Sequence, residues 1–169
     1  MKYYIIAGEA SGDLYGSRLI DEIKSIDREA NIRFWGGDKM ILSGGFNVKH
    51  IKELAFMGFY EVLKNIFTIR KNINFCKKDI CDFNPDKIIY IDYPGFNLLI
   101  SKWAKKKGFK NYYYISPQIW AWKENRIKTI KENIDKLYVI FPFEREYYSD
   151  RHNLKSEFYG HPLIEQIDN

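Results

Sequence analysis

The segment from Lys87 to Ile115, KIIYIDYPGFNLLISKWAKKKGFKNYYYI, contains one complete strand–helix–strand cycle. Lys87–Ile91 is a short apolar run of the kind a buried strand needs. Leu98–Lys107 reads as a helix, and Gly108 is its expected C-terminal stop. Asn111–Ile115 is a second buried strand. The same rhythm extends both ways. Upstream lie a strand at Tyr3–Ala7, a helix at Leu14–Ile26 and a strand at Ile32–Trp35 closed by Gly36-Gly37. That helix carries Tyr15, Leu19, Ile23 and Ile26 at helical spacing, with Asp13 placed to cap it. Downstream come a helix at Glu124–Asn133, a strand at 136–140, a short helix at Glu144–Ser149 and a strand at Glu157–Tyr159. Short apolar strands alternating with helices predict an α/β fold. It is a three-layer α/β/α, Rossmann-like, doubly wound parallel sheet of about six or seven strands.

Composition sets the bounds. The 169 residues suit one domain with a real core, and 46% hydrophobic content makes it globular. The formal net charge of +5 is spread along the chain, which suggests anionic partners without pointing to nucleic acid. Cys76 and Cys81 match no zinc or redox spacing, so a reduced cytoplasmic protein with no metal is expected. The apolar start is too short for a signal peptide, and no run approaches the roughly 20 residues of a membrane span. One segment breaks the rhythm. Leu54–Phe75 reads as a long helix with Glu61, Lys64, Asn65, Thr68, Lys71 and Asn72 gathered on one side. Its apolar stripe covers half the wheel, which is wide for a helix lying on a sheet.

In an open parallel sheet, ligands bind beyond the carboxyl ends of the strands. Three sequence motifs sit there. The first is GEASGD, Gly8–Asp13. It is either a tight strand-to-helix turn capped by Asp13, or a cradle in which a helix N-terminus meets an anion or a hydroxyl. It lacks the GxGxxG pattern, and Glu9 would repel a pyrophosphate. The second is IDYPGFN, Ile91–Asn97, where Asp92 is a helix cap or a working base. The third is SPQIWAWKENRIKTI, Ser116–Ile130. Trp120 and Trp122 point in different directions whatever the backbone, so one can pack while the other lines a cleft. Aromatic faces stack on sugars, and Lys123 and Arg126 can hold a phosphate. The bland reading is one packed tryptophan and a solvated basic helix face. His161 has no partner spacing for a metal, and no Ser-His-Asp arrangement or Walker loop is evident.

Together these motifs resemble one family, the lipid-A-disaccharide synthases, glycosyltransferases of the GT-B architecture. The matching stretches are AGEASGD at 7–13, GG at 36–37 followed by Met40, LAFMGFYEVL at 54–63 and IDYPGFNL at 91–98. They continue with YYISPQIWAWKENRIKTI at 113–130, FPFEREYY at 141–148 and FYGHPL at 158–163. The resemblance covers essentially the whole chain in the family's order. Gly95 stands where many members carry an acidic residue, and Lys123 where Arg is usual.

The resemblance implies an inverting transfer of 2,3-diacylglucosamine from its UDP derivative to 2,3-diacylglucosamine 1-phosphate. The products are the β-1,6-linked disaccharide 1-phosphate of lipid A biosynthesis and UDP. No cofactor or metal is implied, and the site is the cytoplasmic face of the inner membrane, with no nucleic acid. The family has two Rossmann-like halves, and residues 1–169 resemble the N-terminal, acceptor-side half. The C-terminal UDP-sugar half is expected as the partner, on the same or a separate chain, so this chain alone is expected to be inactive. The resemblance makes Asp92 the expected catalytic base. It assigns Glu9, Ser11, Gly12, Asp13, Asn97, Ser116, Trp120, Trp122 and Arg126 to substrate binding. Because the substrates are acylated, the stripe carrying Phe56, Phe59, Leu63 and Ile66 is the expected lipid and membrane contact, flanked by Arg70, Lys71, Lys77 and Lys78. The alternatives are a non-catalytic lipid- or membrane-surface binding module, and another GT-B-like sugar-nucleotide enzyme such as an epimerase.

Overall fold

The protein is seen in a computed structural model that describes residues 1–54 and 66–162. One all-parallel sheet runs through it. Its strands are β1 (Lys2–Ala7), β2 (Asn31–Gly36), β3 (Phe46–His50), β4 (Lys87–Ile91), β5 (Asn111–Tyr114), β6 (Lys136–Val139) and β7 (Glu157–Phe158). They lie in the order β3-β2-β1-β4-β5-β6-β7. The helices are α1 (Ala10–Ile26), α2 (Asp38–Ser43), α3 (Ile66–Phe83), α4 (Pro94–Lys106), α5 (Ile127–Asn133) and α6 (Pro142–Glu146).

Alternation along the strands builds a core on each face, because successive side chains point to opposite sides. Tyr4, Ile6, Trp35, Ile88, Tyr90 and Tyr113 pack on Cys76 and Ile80 of α3, Ile100 and Ala104 of α4 and Ile130 of α5. Ile5, Ala7, Phe34, Ile89 and Ile91 pack on Ile20 of α1 and Met40 of α2. The predicted three-layer α/β/α arrangement is thus observed. The polar tips of the first core are satisfied: the indole N–H of Trp35 donates to the Tyr4 hydroxyl at 2.9 Å.

Several sequence expectations need correction. β3 and α2 were not anticipated; β3 is an edge strand whose residues are only half-buried, so it lacks an apolar run. Helices α1 and α4 each begin four residues before the expected start, at Ala10 and Pro94. Their first turns, Ala-Ser-Gly-Asp and Pro-Gly-Phe-Asn, are too short and too mixed to show an apolar periodicity. Pro94 therefore opens α4 in the first helical turn, where its missing N–H costs nothing. Ser11, Gly12 and Asp13 belong to the first turn of α1 rather than to a loop.

Asp13 does not cap its own helix. It is buried, and its carboxylate accepts from the backbone N–H groups of Gly37, Lys39 and Met40 at 2.7, 3.1 and 3.1 Å. It caps α2 from across the layer. A Cβ at position 37 would lie 2.6 Å from an Asp13 carboxylate oxygen, so only glycine lets the carboxylate approach.

The expected helix over Leu54–Phe75 is described from Ile66 onward, as α3, and continues to Phe83. Phe56, Phe59 and Leu63 lie outside the described residues; of Ile66 only its place at the start of α3 is described. Asn72, expected on the polar side, is buried instead, while Phe67 is 83% exposed and Phe75 is also exposed. No helix among the described residues is long and apolar enough to cross a membrane.

Replacing Asp13 with Ala leaves three backbone donors at the start of α2 without their buried acceptor. The expected loss is about 1–3 kcal/mol of unfolding free energy, read from urea denaturation. A variant as stable as the parent would show that water or a neighbour replaces the cap.

Candidate active site

The winding of the sheet reverses between β1 and β4, so α1 and α4 leave toward opposite faces and open a crevice at the strand ends. A cleft of about 420 Å³ occupies it. Its lining comes from the ends of three strands: Glu9 after β1, Asp92 to Gly95 after β4, and Ile115, Ser116, Gln118, Trp122 and Arg126 after β5. The three motifs singled out in the sequence converge on one edge.

The backbone around this cleft is unusual. Four residues with side chains adopt the left-handed region here: Asp92 at φ +43°, Tyr93 at +47°, Ile115 at +65° and Lys123 at +57°. For a β-branched residue such as Ile115 this is a rare conformation. Such strain persists only where surrounding contacts hold it, and it gathers at functional sites. The contacts are visible. The Asp92 carbonyl accepts from the buried Tyr113 hydroxyl at 2.6 Å and from the Asn97 side-chain amide at 2.7 Å. Tyr93 packs over Gly8, where a Cβ would collide with the ring. Gly8 is what allows the ends of β1 and β4 to close together.

Asp92 precedes the N-cap position of α4, which is held by Tyr93 with no side-chain cap. The helix-cap reading of Asp92 therefore loses its geometry. Its carboxyl is held above the ordinary carboxylate range, first by burial and then by the charge of Glu9; the Tyr93 backbone N–H and the Arg126 guanidinium pull the other way. The Tyr93 phenol is pushed up to about 12 by burial and by Glu9.

The loop after β5 has a bonded base and exposed tips. Trp120 donates to Oε1 of Glu144 at 3.0 Å and meets the Phe143 ring edge-on at 5.0 Å. Glu144 is fully buried, and its other oxygen accepts from the backbone of Ile140 and Phe141. Tyr148 donates to the carbonyl of Pro117 at 3.0 Å. Trp122, 59% exposed, lies with the Lys123 ammonium 4.6 Å and the Arg126 guanidinium 5.6 Å from its ring. An aromatic face backed by two cations suits a sugar that carries a phosphate.

Of the expected site residues, Glu9, Asp92, Ser116, Trp122 and Arg126 line the cleft. Trp120 does not; it is tied to Glu144 and anchors the loop. Asn97 is fully buried and serves the backbone, and Gly12 and Asp13 are buried in the first turn of α1 beneath the edge. Ser11 is exposed in the same turn without lining the cleft. Tyr93, Ile115 and Gln118 line the cleft and were not anticipated. Their places directly after two strands were legible, but the turn that aims them was not.

Residues 3–169 match the family described as lipid-A-disaccharide synthetase. The chain is 42% identical over 163 residues to the lipid-A-disaccharide synthase of Geobacter metallireducens, covering 96% of this chain and 42% of that protein. It is 42% identical over 159 residues to the synthase of Coxiella burnetii, covering 94% and 42%. It is 40% identical over 164 residues to lipid-A-disaccharide synthase 1 of Legionella pneumophila, covering 96% and 42%. The chain thus spans less than half the length of these relatives. Among solved structures it superposes on UDP-GlcNAc 2-epimerase from Neisseria meningitidis bound to UDP-GlcNAc, with a TM-score of 0.64 over 99% of this chain and 49% of that one. At 12% identity this likeness speaks for the fold alone. By the family match and by these relatives, the chain belongs to the lipid-A-disaccharide synthetase family.

Proposed function

We propose that this chain is the acceptor-side half of an inverting glycosyltransferase that moves 2,3-diacylglucosamine from its UDP derivative to 2,3-diacylglucosamine 1-phosphate. The donor half would lie in the further length that the relatives possess. The observation that carries the reading is Asp92: a half-buried carboxylate with raised basicity, in the same cleft as Trp122 and Arg126. A sugar hydroxyl is a poor nucleophile and needs a base. Asp92 takes the proton of the acceptor 6-hydroxyl as that oxygen bonds to the anomeric carbon. The bond from this carbon to the phosphate oxygen breaks on the opposite side, and UDP departs with the electron pair. A single displacement of this kind inverts the anomeric centre. Arg126 and the face of Trp122 hold the acceptor phosphate and ring.

The acyl chains need an apolar surface, and α3 offers one edge of it. Phe67 and Phe75 are exposed, and Arg70, Lys71 and Lys78 on the same helix are exposed cations. Apolar insertion beside cations suits an anionic membrane surface. Each buried acyl CH₂ adds about 0.8 kcal/mol. This supports a peripheral enzyme working at the inner membrane from the cytoplasmic side.

In the full-length enzyme, Asp92→Asn should lower kcat by about 10²–10⁴-fold while the fold survives. The parent's rate should fall as pH drops through the raised Asp92 value, so its acid limb lies above the ordinary aspartate value of about 4. The sign for stability is opposite to that of a salt-bridged carboxylate. A raised folded value means that the native state binds the proton more tightly than the unfolded chain, so the charge opposes folding above that pH. Asp92→Asn should therefore melt no lower than the parent at neutral pH. A folded Asp92→Asn enzyme turning over like the parent would end the base assignment.

Arg126→Ala should raise the acceptor KM by a factor equivalent to about 1.5–3 kcal/mol and leave the UDP-sugar KM unchanged. An effect confined to the donor would remove Arg126 from the acceptor site. The paired change Phe67→Ser and Phe75→Ser should reduce flotation with anionic liposomes; unchanged flotation of a folded variant would exclude α3 as the membrane edge.

A further inference from the structure

We propose that Tyr113 is a positioning residue: its hydroxyl, by bonding the main-chain carbonyl of Asp92, holds the carboxylate in its working orientation. The inference rests on Asp92 being the base. Tyr113 sits in β5 directly across from Tyr90 of β4, with the two rings 5.7 Å apart and both fully buried. The two hydroxyls have different tasks. That of Tyr90 donates to Oδ1 of Asn111 at 2.8 Å, toward the amino end of the strands. That of Tyr113 reaches past the carboxyl end of β4 to the Asp92 carbonyl at 2.6 Å.

This carbonyl belongs to the peptide between two left-handed residues, Asp92 and Tyr93. Fixing that peptide fixes both residues. Left to itself, a residue with a Cβ returns toward negative φ. For Asp92 that relaxation is a rotation about N–Cα, which swings Cβ and the carboxylate away from the cleft. Asn97 also donates to this carbonyl, but its amide is shared with Ile6 and Ile91 at 3.4 Å each. Tyr113 is the donor whose hydroxyl serves Asp92. Burial and the Asp92 charge push its phenol well above the usual value, so it remains a protonated donor throughout the working pH range.

The test uses full-length enzyme carrying Tyr113→Phe, with Tyr90→Phe as the control and Asp92→Asn alongside. Tyr113→Phe keeps the buried ring and removes one oxygen. The expected result is a fall in kcat of about 10-fold with unchanged KM values. The acid limb of kcat/KM should also move to lower pH, because a carboxylate freed toward water loses the burial that raises it. Tyr90→Phe should lower the melting temperature and leave kcat and the acid limb where they are. The proposal is overturned if Tyr113→Phe keeps the parent's kcat and acid limb, or if Tyr90→Phe produces the same changes. A dead Asp92→Asn beside a normal Tyr113→Phe would sink the positioning role alone. An active Asp92→Asn would sink the base assignment and this inference with it.

Discussion

The side-chain amide of Asn97 touches the carbonyls of Ile6, Ile91 and Asp92, and through them it binds the ends of β1 and β4 where the sheet reverses direction. A buried peptide carbonyl left unpaired is costly, and these lie where the regular ladder stops. One amide, four residues into α4, lies against all three and makes its shortest bond to Asp92 at 2.7 Å. The cleft, the left-handed turn at Asp92 and Tyr93, and the approach of Tyr93 over Gly8 all depend on this seam.

Charge is balanced around that seam in a way that suits acid–base work. Glu9 and Asp92 bring two carboxylates to the same edge, each at the entrance to a helix. Burial and then the charge of Glu9 raise the basicity of Asp92, while the Tyr93 backbone N–H and the Arg126 guanidinium pull the other way. A carboxylate in open water would be a weaker base, and one locked in an ion pair would be weaker still. The Arg126 guanidinium also lies 5.6 Å from the Trp122 ring, so one cation acts on both the carboxylate and the aromatic face of the cleft.

The loop after β5 illustrates how a buried carboxyl group can brace a surface loop. Glu144 is fully enclosed, yet its two oxygens meet three N–H groups, from Trp120, Ile140 and Phe141. Those bonds fasten the loop to the start of α6. The pair of tryptophans is therefore divided by function. Trp120 secures the loop, and Trp122 faces the cleft. The 2-epimerase, at 12% identity, shares the fold alone.

The sequence by itself determined the layers, the parallel sheet and the three motifs beyond its strand ends. Apolar runs and helical spacing are local, and in a parallel sheet the chain must return to the same edge after each strand. Asp92, Glu9, Trp122 and Arg126 were legible for that reason. It did not determine β3, whose edge residues carry no apolar pattern, nor the first turns of α1 and α4, which show no apolar periodicity. Asp13 looked like the cap of its own helix, and only the packing of α1 on α2 turned it toward Gly37, Lys39 and Met40. Asn97 and Trp120 looked like ligands, and only tertiary structure made them fastenings, because a buried donor goes to whichever acceptor the fold brings near. The left-handed turns at Asp92, Tyr93 and Ile115 were equally hidden. Local preference disfavours them, and at the Asp92–Tyr93 peptide the carbonyl is bonded by Tyr113 and Asn97, two buried donors that only the fold brings there.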